Sequence, residues 1–266
     1  MAIELICLDL DGTLLGPEKL VSKENMQALR EAESAGLGLA IASGRHPFNV
    51  GELCREIRLP FTAVCLSGAV AFLDGREVSR CALDDAVAHD LSRLAKSLGC
   101  YISLAGSDFN LCAGDPTWRP TTAALRRYER FDSYEALEAA LSSHEGRVLK
   151  AAMHALSDES YLELRGALAG LGEAEVAQSD VRWVDINAKG CSKAVGIAAL
   201  ADALNMPMSA IAAVGDDEND VATMSAVGLG IAMGNAIPKV KNLAHVVVAD
   251  NTQDGAAEAI RLAIRA

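Results

Sequence analysis

Two carboxylates stand two residues apart where a short apolar run near the start of the chain ends. The run predicts a buried strand, and the pentapeptide Asp9-Leu10-Asp11-Gly12-Thr13 follows it. Because side chains alternate along a strand, Asp9 and Asp11 are expected to point to the same side. Gly12 allows a sharp turn, and Thr13 places a hydroxyl in that turn. Such a pair can supply a nucleophile, a general acid or base, or ligands for a cation.

Three further polar segments lie at the ends of predicted elements. Ser43-Gly44-Arg45 follows a predicted strand at residues 37–42, and the acidic segment 215–220 follows another at 211–214. Lys193 lies near the start of a predicted helix. In an open parallel sheet, ligands bind beyond the carboxyl ends of the strands. All four segments converge there if the first strand is central, with the other two strands on either side of it.

The chemistry of these segments suits Mg²⁺ and phosphate. Carboxylates that converge repel one another unless a cation lies among them, and hard oxygen ligands select Mg²⁺. The hydroxyl of Ser43, neighbouring backbone N–H groups and the ammonium of Lys193 can hold phosphate oxygens. A free aspartate can then attack phosphorus while a second acid protonates the leaving alcohol and later activates water. The carboxylates expected to converge are those of Asp9, Asp11, Asp216, Asp217 and Asp220.

Each segment taken alone has a simpler interpretation. Ser43-Gly44-Arg45 is typical of an ordinary turn, and Lys193 of a solvated helix lysine. The acidic segment 215–220 suits the N-terminus of a helix, where acids complement the helix dipole. The occurrence of all the segments in this order is what predicts an active site.

Composition limits the possible partners and compartments. The chain has 266 residues, of which 51% are hydrophobic. Its net charge is −12 and it contains no run of lysines or arginines, which disfavours nucleic acid and anionic membranes as partners. Neither a signal peptide nor an apolar membrane span is predicted. The seven cysteines are scattered without a CxxC pair, as expected for buried thiols in a reducing cytoplasm. We therefore expect a cytoplasmic protein.

Strand and helix patterns predict two domains. Residues 1–81 and 187–266 alternate strands with helices, which predicts an α/β fold with a doubly wound parallel sheet. Residues 82–186 mix helical and strand-like stretches, including a predicted helix at 121–130, and are expected to form an inserted α+β domain.

The order of these motifs resembles that of the haloacid dehalogenase-like hydrolase superfamily, and in particular the Cof-type phosphatases with a large α+β cap. The resemblance covers nearly the whole chain and implies a Rossmann-like core, Mg²⁺ and an aspartyl-phosphate intermediate. It also implies a phosphatase of small phosphorylated metabolites, such as sugar phosphates or related organophosphates. It implies that Asp9 is the nucleophile and Asp11 the general acid/base. Asp216 matches the metal-binding aspartate, so the implied metal site comprises Asp9, Asp11 and Asp216.

The same resemblance assigns the phosphate contacts to Ser43 with Gly44 and to a lysine. Lys193 is preferred over Lys189 because of its spacing from the acidic segment. Met233-Gly234-Asn235-Ala236 also matches a late signature of the family. The residues expected to support the site are Thr13, Arg45, Asn219 and Asp220.

The sequence leaves the substrate open. Ser67-Gly68-Ala69 replaces the Asn-Gly-Ala that such proteins often carry, which weakens any substrate inferred from relatives. A phosphosugar mutase with the same chemistry and a non-catalytic sensor of phosphorylated metabolites are the alternatives, and the presence of Asp11 argues against the sensor. Residue type alone offers candidates for substrate contacts, which are His46, Trp118, Arg119, Arg126, Arg127 and Trp183.

Overall fold

A computed structural model of the protein describes residues 2–114, 128–172 and 174–266. The chain divides into two compact units. Unit 1 combines residues 1–79 with 192–266, and unit 2 comprises residues 80–191. Unit 2 is therefore an insertion within the sequence of unit 1. Of the helices in the described ranges, none is both long and apolar enough to span a membrane.

The described residues form two sheets, an eight-stranded sheet in unit 1 and a six-stranded sheet in unit 2. In chain order the strands are β1 (Leu5–Leu8), β2 (Gly38–Ala42), β3 (Ala63–Cys65), β4 (Val70–Leu73), β5 (Arg76–Arg80), β6 (Tyr101–Ala105), β7 (Asn110–Ala113), β8 (Glu129–Arg130), β9 (Lys150–His154), β10 (Ala174–Asp180), β11 (Trp183–Ala188), β12 (Ile211–Gly215), β13 (Leu229–Ala232) and β14 (Val246–Val247).

Helices connect most of these strands. Several begin at a side chain that caps free backbone N–H groups, such as Ser22, Asp84, Ser157 and Ser192. The α-helices of the described residues are α1 (Lys23–Ser34), α2 (Pro47–Ile57), α3 (Asp85–Leu98), α4 (Tyr134–Leu141), α5 (Asp158–Leu168), α6 (Lys193–Ala203), α7 (Val221–Met224), α8 (Pro238–Leu243) and α9 (Gly255–Arg265).

The sheet of unit 1 has the strand order β14-β13-β12-β1-β2-β3-β4-β5. β1 lies between β12 and β2 and is parallel to both, and Leu8 pairs with Val214 on one side and Ile41 on the other. The carboxyl ends of these three strands therefore meet at one edge of the sheet. The prediction of an α/β fold with a doubly wound parallel core is confirmed, although β4 runs antiparallel to β3.

Both faces of this sheet are covered. All four residues of β1 are buried, as expected for a strand between two layers of helices. Leu5 and Cys7 share a core cluster with Ile197 and Leu200 of α6, so α6 packs on that face. The position of α6 matters for the site because Lys193 is its first residue.

Unit 2 contains a mixed sheet with the order β10-β11-β9-β6-β7-β8. The predicted helix at 121–130 is wrong at its end, because Glu129 and Arg130 form β8 and pair with Leu111 and Cys112 of β7. Residues 121–127 lie outside the described residues. At the end of unit 2, β11 continues to Ala188 and pairs with β10, and the unit ends at Cys191.

A loop with left-handed backbone follows β3. Leu66, Ser67 and Gly68 have φ values of 52°, 60° and 106°. A Cβ atom at Gly68 would overlap the carbonyl oxygen of Ser192, immediately before α6. Glycine is therefore required both for the backbone conformation and for this close approach.

Replacing Gly68 with alanine is expected to destabilise the protein by roughly 2 kcal/mol or more, because it combines backbone strain with a steric clash. The matched control is Gly166→Ala in α5, where no heavy atom lies within 4 Å of the added Cβ. That change is expected to be neutral or to stabilise by up to about 1 kcal/mol. Urea unfolding measures both free energies. Equal effects of the two substitutions would show that the loop does not depend on Gly68.

Candidate active site

A buried lysine joins two buried aspartates at the carboxyl edge of the unit 1 sheet. The Lys193 Nζ donates hydrogen bonds to Asp9 Oδ1 and Asp220 Oδ1, each at 2.7 Å. Lys193 is 1% exposed, Asp9 5% and Asp220 2%. Asp9 directly follows β1, Lys193 is the first residue of α6, and Asp220 ends a 3₁₀ turn after β12. Three separate chain segments are thus held at one point.

The charges in this group depend on one another. Burial raises the pKa of Asp9 to about 7; the charge of Lys193 opposes this rise, and the charges of Asp220 and Asp216 add to it. Burial alone would lower the pKa of Lys193, but the negative charges of Asp220 and Asp9 hold it above its ordinary value. Lys193 therefore stays charged at neutral pH, whereas Asp9 needs additional positive charge to ionise fully.

Asp216 is fixed beside these residues by two donors. Thr13 Oγ1 donates to Asp216 Oδ1 at 2.7 Å, and Asn235 Nδ2 donates to Asp216 Oδ2 at 3.3 Å and to the carbonyl of Gly12 at 2.8 Å. A Cβ atom at Gly12 would overlap the Asp216 carboxylate, so glycine permits the contact. Burial raises the pKa of Asp216 to about 6, and the charge of Asp220 adds to this rise.

Among the described residues, Asp9, Asp216 and Asp220 form one group whose ligand atoms lie within 4.8 Å of one another. Three carboxylates face a single ammonium, which leaves an excess of negative charge, and all three offer the oxygen ligands that Mg²⁺ prefers. Asp220 already accepts hydrogen bonds from Lys193 at Oδ1 and from the Asp216 and Asp217 N–H groups at Oδ2. Asp9 and Asp216 are therefore the better candidates for metal ligands.

The carboxylate of Asp11 lies outside this group, although the sequence predicted it as a metal ligand. Arg45 Nε donates to its Oδ2, and Arg45 Nη2 and Lys19 Nζ donate to its Oδ1, all at 2.7 Å. Partial burial raises the pKa of Asp11, but the hydrogen bonds from Arg45 and Lys19 outweigh it and leave the pKa below its ordinary value. Asp11 is consequently an ionised residue with two cationic partners.

The other predicted phosphate contacts lie near the same edge of the sheet. Ser43 follows β2, is 2% exposed, and accepts a hydrogen bond at its Oγ from the Arg45 N–H at 3.2 Å. Gly44 is half-buried between these two residues. Asn219 is exposed, and Lys189 is exposed within unit 2. The geometry thus favours Lys193 over Lys189 as the lysine of the site.

Two residues at the site were missed by the sequence reasoning. Asn235 lies in a recognised family signature, which was a usable signal. Lys19 reaches Asp11 from a turn after Gly16, where the Lys19 backbone is left-handed with φ 59°. Nothing in the sequence pattern indicated this contact.

His46, a candidate for substrate contact, caps α2 instead through its Nδ1. Trp118, Arg119, Arg126 and Arg127 lie outside the described residues.

A sequence profile described as haloacid dehalogenase-like hydrolase matches residues 6–260. The chain belongs to this family. A haloacid dehalogenase-like hydrolase from Bacteroides thetaiotaomicron has the same fold, with a TM-score of 0.84 and 23% sequence identity over 98% of this chain and 99% of that one. Another from Bacillus subtilis gives a TM-score of 0.84, with 23% identity over 97% and 99% of the two chains. The prediction of a Cof-type haloacid dehalogenase-like hydrolase is confirmed.

Proteins with similar sequences include named phosphatases. The chain is 30% identical to the 5-amino-6-(5-phospho-D-ribitylamino)uracil phosphatase of Bacillus subtilis, over 97% of this chain and 95% of that protein. It is 28% identical to the pyridoxal phosphate phosphatase of Escherichia coli, over 98% of each chain. The prediction that the chain is a hydrolase of phosphoric monoesters is confirmed at the level of its family.

The raised pKa values of Asp9 and Asp216 predict how metal-free protein responds to pH. Between about pH 4 and pH 7 the folded state keeps protons that the unfolded state has lost, so these two groups lower stability as pH rises. Mg²⁺ is expected to stabilise the protein more at pH 7.5 than at pH 5, by on the order of 1–3 kcal/mol. Thermal unfolding with Mg²⁺ and with a chelator measures this difference.

The Asp216→Asn variant should lose most of the Mg²⁺ effect, whereas Asp202→Asn, at an exposed position in α6, should keep it. If the two variants respond to Mg²⁺ alike, Asp216 does not hold the metal.

Proposed function

We propose that this chain is a Mg²⁺-dependent phosphatase that hydrolyses small phosphorylated metabolites through an aspartyl-phosphate on Asp9. The observation that carries the proposal is the environment of Asp9, a buried carboxylate that Lys193 engages at one oxygen and that lies close to Asp216. The named relatives support it, since one acts on a ribitylaminouracil phosphate and another on pyridoxal phosphate. The particular metabolite of this chain is left to experiment.

The reaction begins with attack by the Asp9 carboxylate on phosphorus. The bond from phosphorus to the leaving oxygen breaks, and that oxygen takes a proton from Asp11. In the second step Asp11 takes a proton from water, the water oxygen bonds to phosphorus, and the bond to Asp9 breaks to release inorganic phosphate. Both enzyme carboxyl groups are then restored, as a catalytic cycle requires.

Lys193 and Ser43 are assigned to the phosphate oxygens, with the Gly44 backbone beside them. Lys193 is held between Asp9 and Asp220, so its ammonium is fixed next to the attacking carboxylate before substrate arrives. A donor that is already in place needs no reorganisation as charge develops in the transition state. Thr13, Asn235 and Asp220 act through Asp216 and Lys193, which they orient.

Asp9 and Asp216 are the residues that would hold Mg²⁺. When bound, the ion would offset the negative charge of the carboxylates and of the phosphoryl group. The electrostatics of the site support this assignment, because burial and the charge of Asp220 hold the pKa values of both aspartates above their ordinary range.

Asp11 is assigned to acid and base chemistry, and its partners bear on this assignment. Arg45 and Lys19 favour the ionised form, which suits the second step, in which Asp11 accepts a proton. For the first step Asp11 must carry a proton, so these two ion pairs have to weaken when substrate is bound.

We also propose that unit 2 is the inserted cap domain that the sequence predicts at 82–186.

Phosphate release from a panel of phosphorylated metabolites tests the function directly. Activity is expected to require Mg²⁺ and to disappear with a chelator.

Asp9→Asn should lower turnover by roughly a thousandfold or more, because the amide keeps the shape but cannot attack phosphorus. Asp202→Asn serves as the control and should turn over normally. Phosphate release by the Asp9→Asn protein at a normal rate would rule out Asp9 as the nucleophile.

Asp11→Asn should affect poor leaving groups far more than good ones. An aryl phosphate with an acidic phenol leaves without a proton donor, whereas a sugar phosphate must expel a basic alkoxide. Rapid-mixing kinetics should therefore show an early burst of phenol followed by slow turnover, and a loss of about a hundredfold or more in the first step for the sugar phosphate. An equal loss of the first step for both esters would contradict the acid role of Asp11.

A further inference from the structure

The sheet of unit 2 has one apolar face and one mixed face. Ile102, Met153 and Val184 point to the apolar face and are fully buried. Because side chains alternate, Tyr101, Ser103, Ala152, Trp183 and Asp185 share the other face. That second face therefore carries aromatic rings, hydroxyls and a carboxylate, and its residues Tyr101 and Ser103 are buried.

This mixed face contains a cavity of about 300 Å³. Its walls include the aromatic residues Tyr101, Tyr128 and Trp183, and its lining is completed by Ala152 and by polar residues such as Ser103 and Asp185. The small side chain of Ala152 leaves space between larger neighbours. The volume lies at the lower end of the range for small-molecule sites and is sufficient for a planar one- or two-ring compound.

The aromatic walls are held in place by neighbouring rings. The Trp183 ring lies 4.8 Å from the His154 ring at an interplanar angle of 31°, and 5.7 Å from the Tyr101 ring at 68°. His154 and Tyr101 are both buried. The indole is therefore fixed from two directions before any ligand binds, which lowers the entropic cost of stacking against it.

The polar groups of the cavity are fixed as well. Asp185 forms an ion pair of 2.6 Å with Lys150, which is 7% exposed, and Ser103 Oγ donates to Asn110 Oδ1 at 2.6 Å. The Asp185–Lys150 pair is neutral as a whole, so the lining favours an uncharged ligand. An ionised carboxylate accepts hydrogen bonds only, so a ligand must bring donors to Asp185.

We propose that this cavity binds a planar, uncharged nitrogen heterocycle that donates N–H hydrogen bonds to Asp185 and stacks against the aromatic walls. The ring can belong to the phosphate ester that the enzyme hydrolyses, in which case the inference rests on the proposed function, or to a separate ligand. The same chemistry of recognition applies to both.

The test uses 2-aminopurine, whose fluorescence is quenched when the ring stacks on other aromatic rings. Titration with the full-length protein is expected to give saturable quenching with a dissociation constant below about 1 mM. Ala152→Leu fills the cavity without removing a polar contact and should weaken binding by about tenfold or more. The matched control, Ala167→Leu, makes the same change on an exposed position of α5 and should bind normally.

Asp185→Asn provides a second, independent test and should weaken binding by about fivefold or more. Thermal unfolding of each variant verifies that it is folded. Quenching that does not saturate, or equal affinities for wild-type and Ala152→Leu proteins, would overturn the proposal.

Kinetics then identify the source of the ring. Acetyl phosphate is compared with the heterocyclic esters adenosine 5′-monophosphate and uridine 5′-monophosphate. If the ring is part of the substrate, Ala152→Leu raises KM for whichever heterocyclic ester is hydrolysed and leaves acetyl phosphate unaffected. Unchanged KM values alongside lost 2-aminopurine binding identify a separate ligand. Failure to hydrolyse any ester would contradict the proposed phosphatase function but leave the binding result intact.

Discussion

The buried contact of Lys193 with Asp9 and Asp220 is the interaction on which the rest of the site depends. Burying three ionised groups is costly unless they are paired, and removing one partner leaves an uncompensated charge. The fold meets this requirement by bringing the end of β1, the turn after β12 and the first residue of α6 to one point. The tight loop at Gly68 packs against Ser192, the residue that caps the start of α6.

The charge balance of this group explains how an acidic protein can bind anionic substrates. The chain carries a net charge of −12, yet a lysine and an arginine lie at the edge of the sheet where we propose that a divalent cation binds. Because Asp9 and Asp216 have raised pKa values without a metal, the folded site is itself under electrostatic stress. A cation bound at the proposed site would offset this negative charge, which would link metal binding to stability.

The sequence was sufficient to predict the parallel core, because strand ends are local signals and parallel strands align their ends. For the same reason it predicted the proximity of Asp9, Lys193, Asp216 and Asp220, which the structure brings together. It could not reveal that Asp11 faces Arg45 and Lys19 and not the other acids. Arg45 lies 34 residues away in the sequence, and Lys19 reaches Asp11 from a left-handed turn. Likewise, the helix expected at 121–130 was wrong at Glu129 and Arg130, since pairing with β7 outweighs local helical preference there. Long-range contacts decided both outcomes.

The most direct test of the account is to trap the intermediate on Asp9. An acyl phosphate is reduced by borohydride to an alcohol, which converts an aspartyl-phosphate to homoserine, whereas a free carboxylate does not react. Protein quenched during turnover with Mg²⁺ and then reduced should contain homoserine at position 9, detected by peptide mass spectrometry, and none when substrate is omitted. Homoserine at another aspartate, or none at any position while phosphate is being released, would contradict the assignment of Asp9 as the nucleophile.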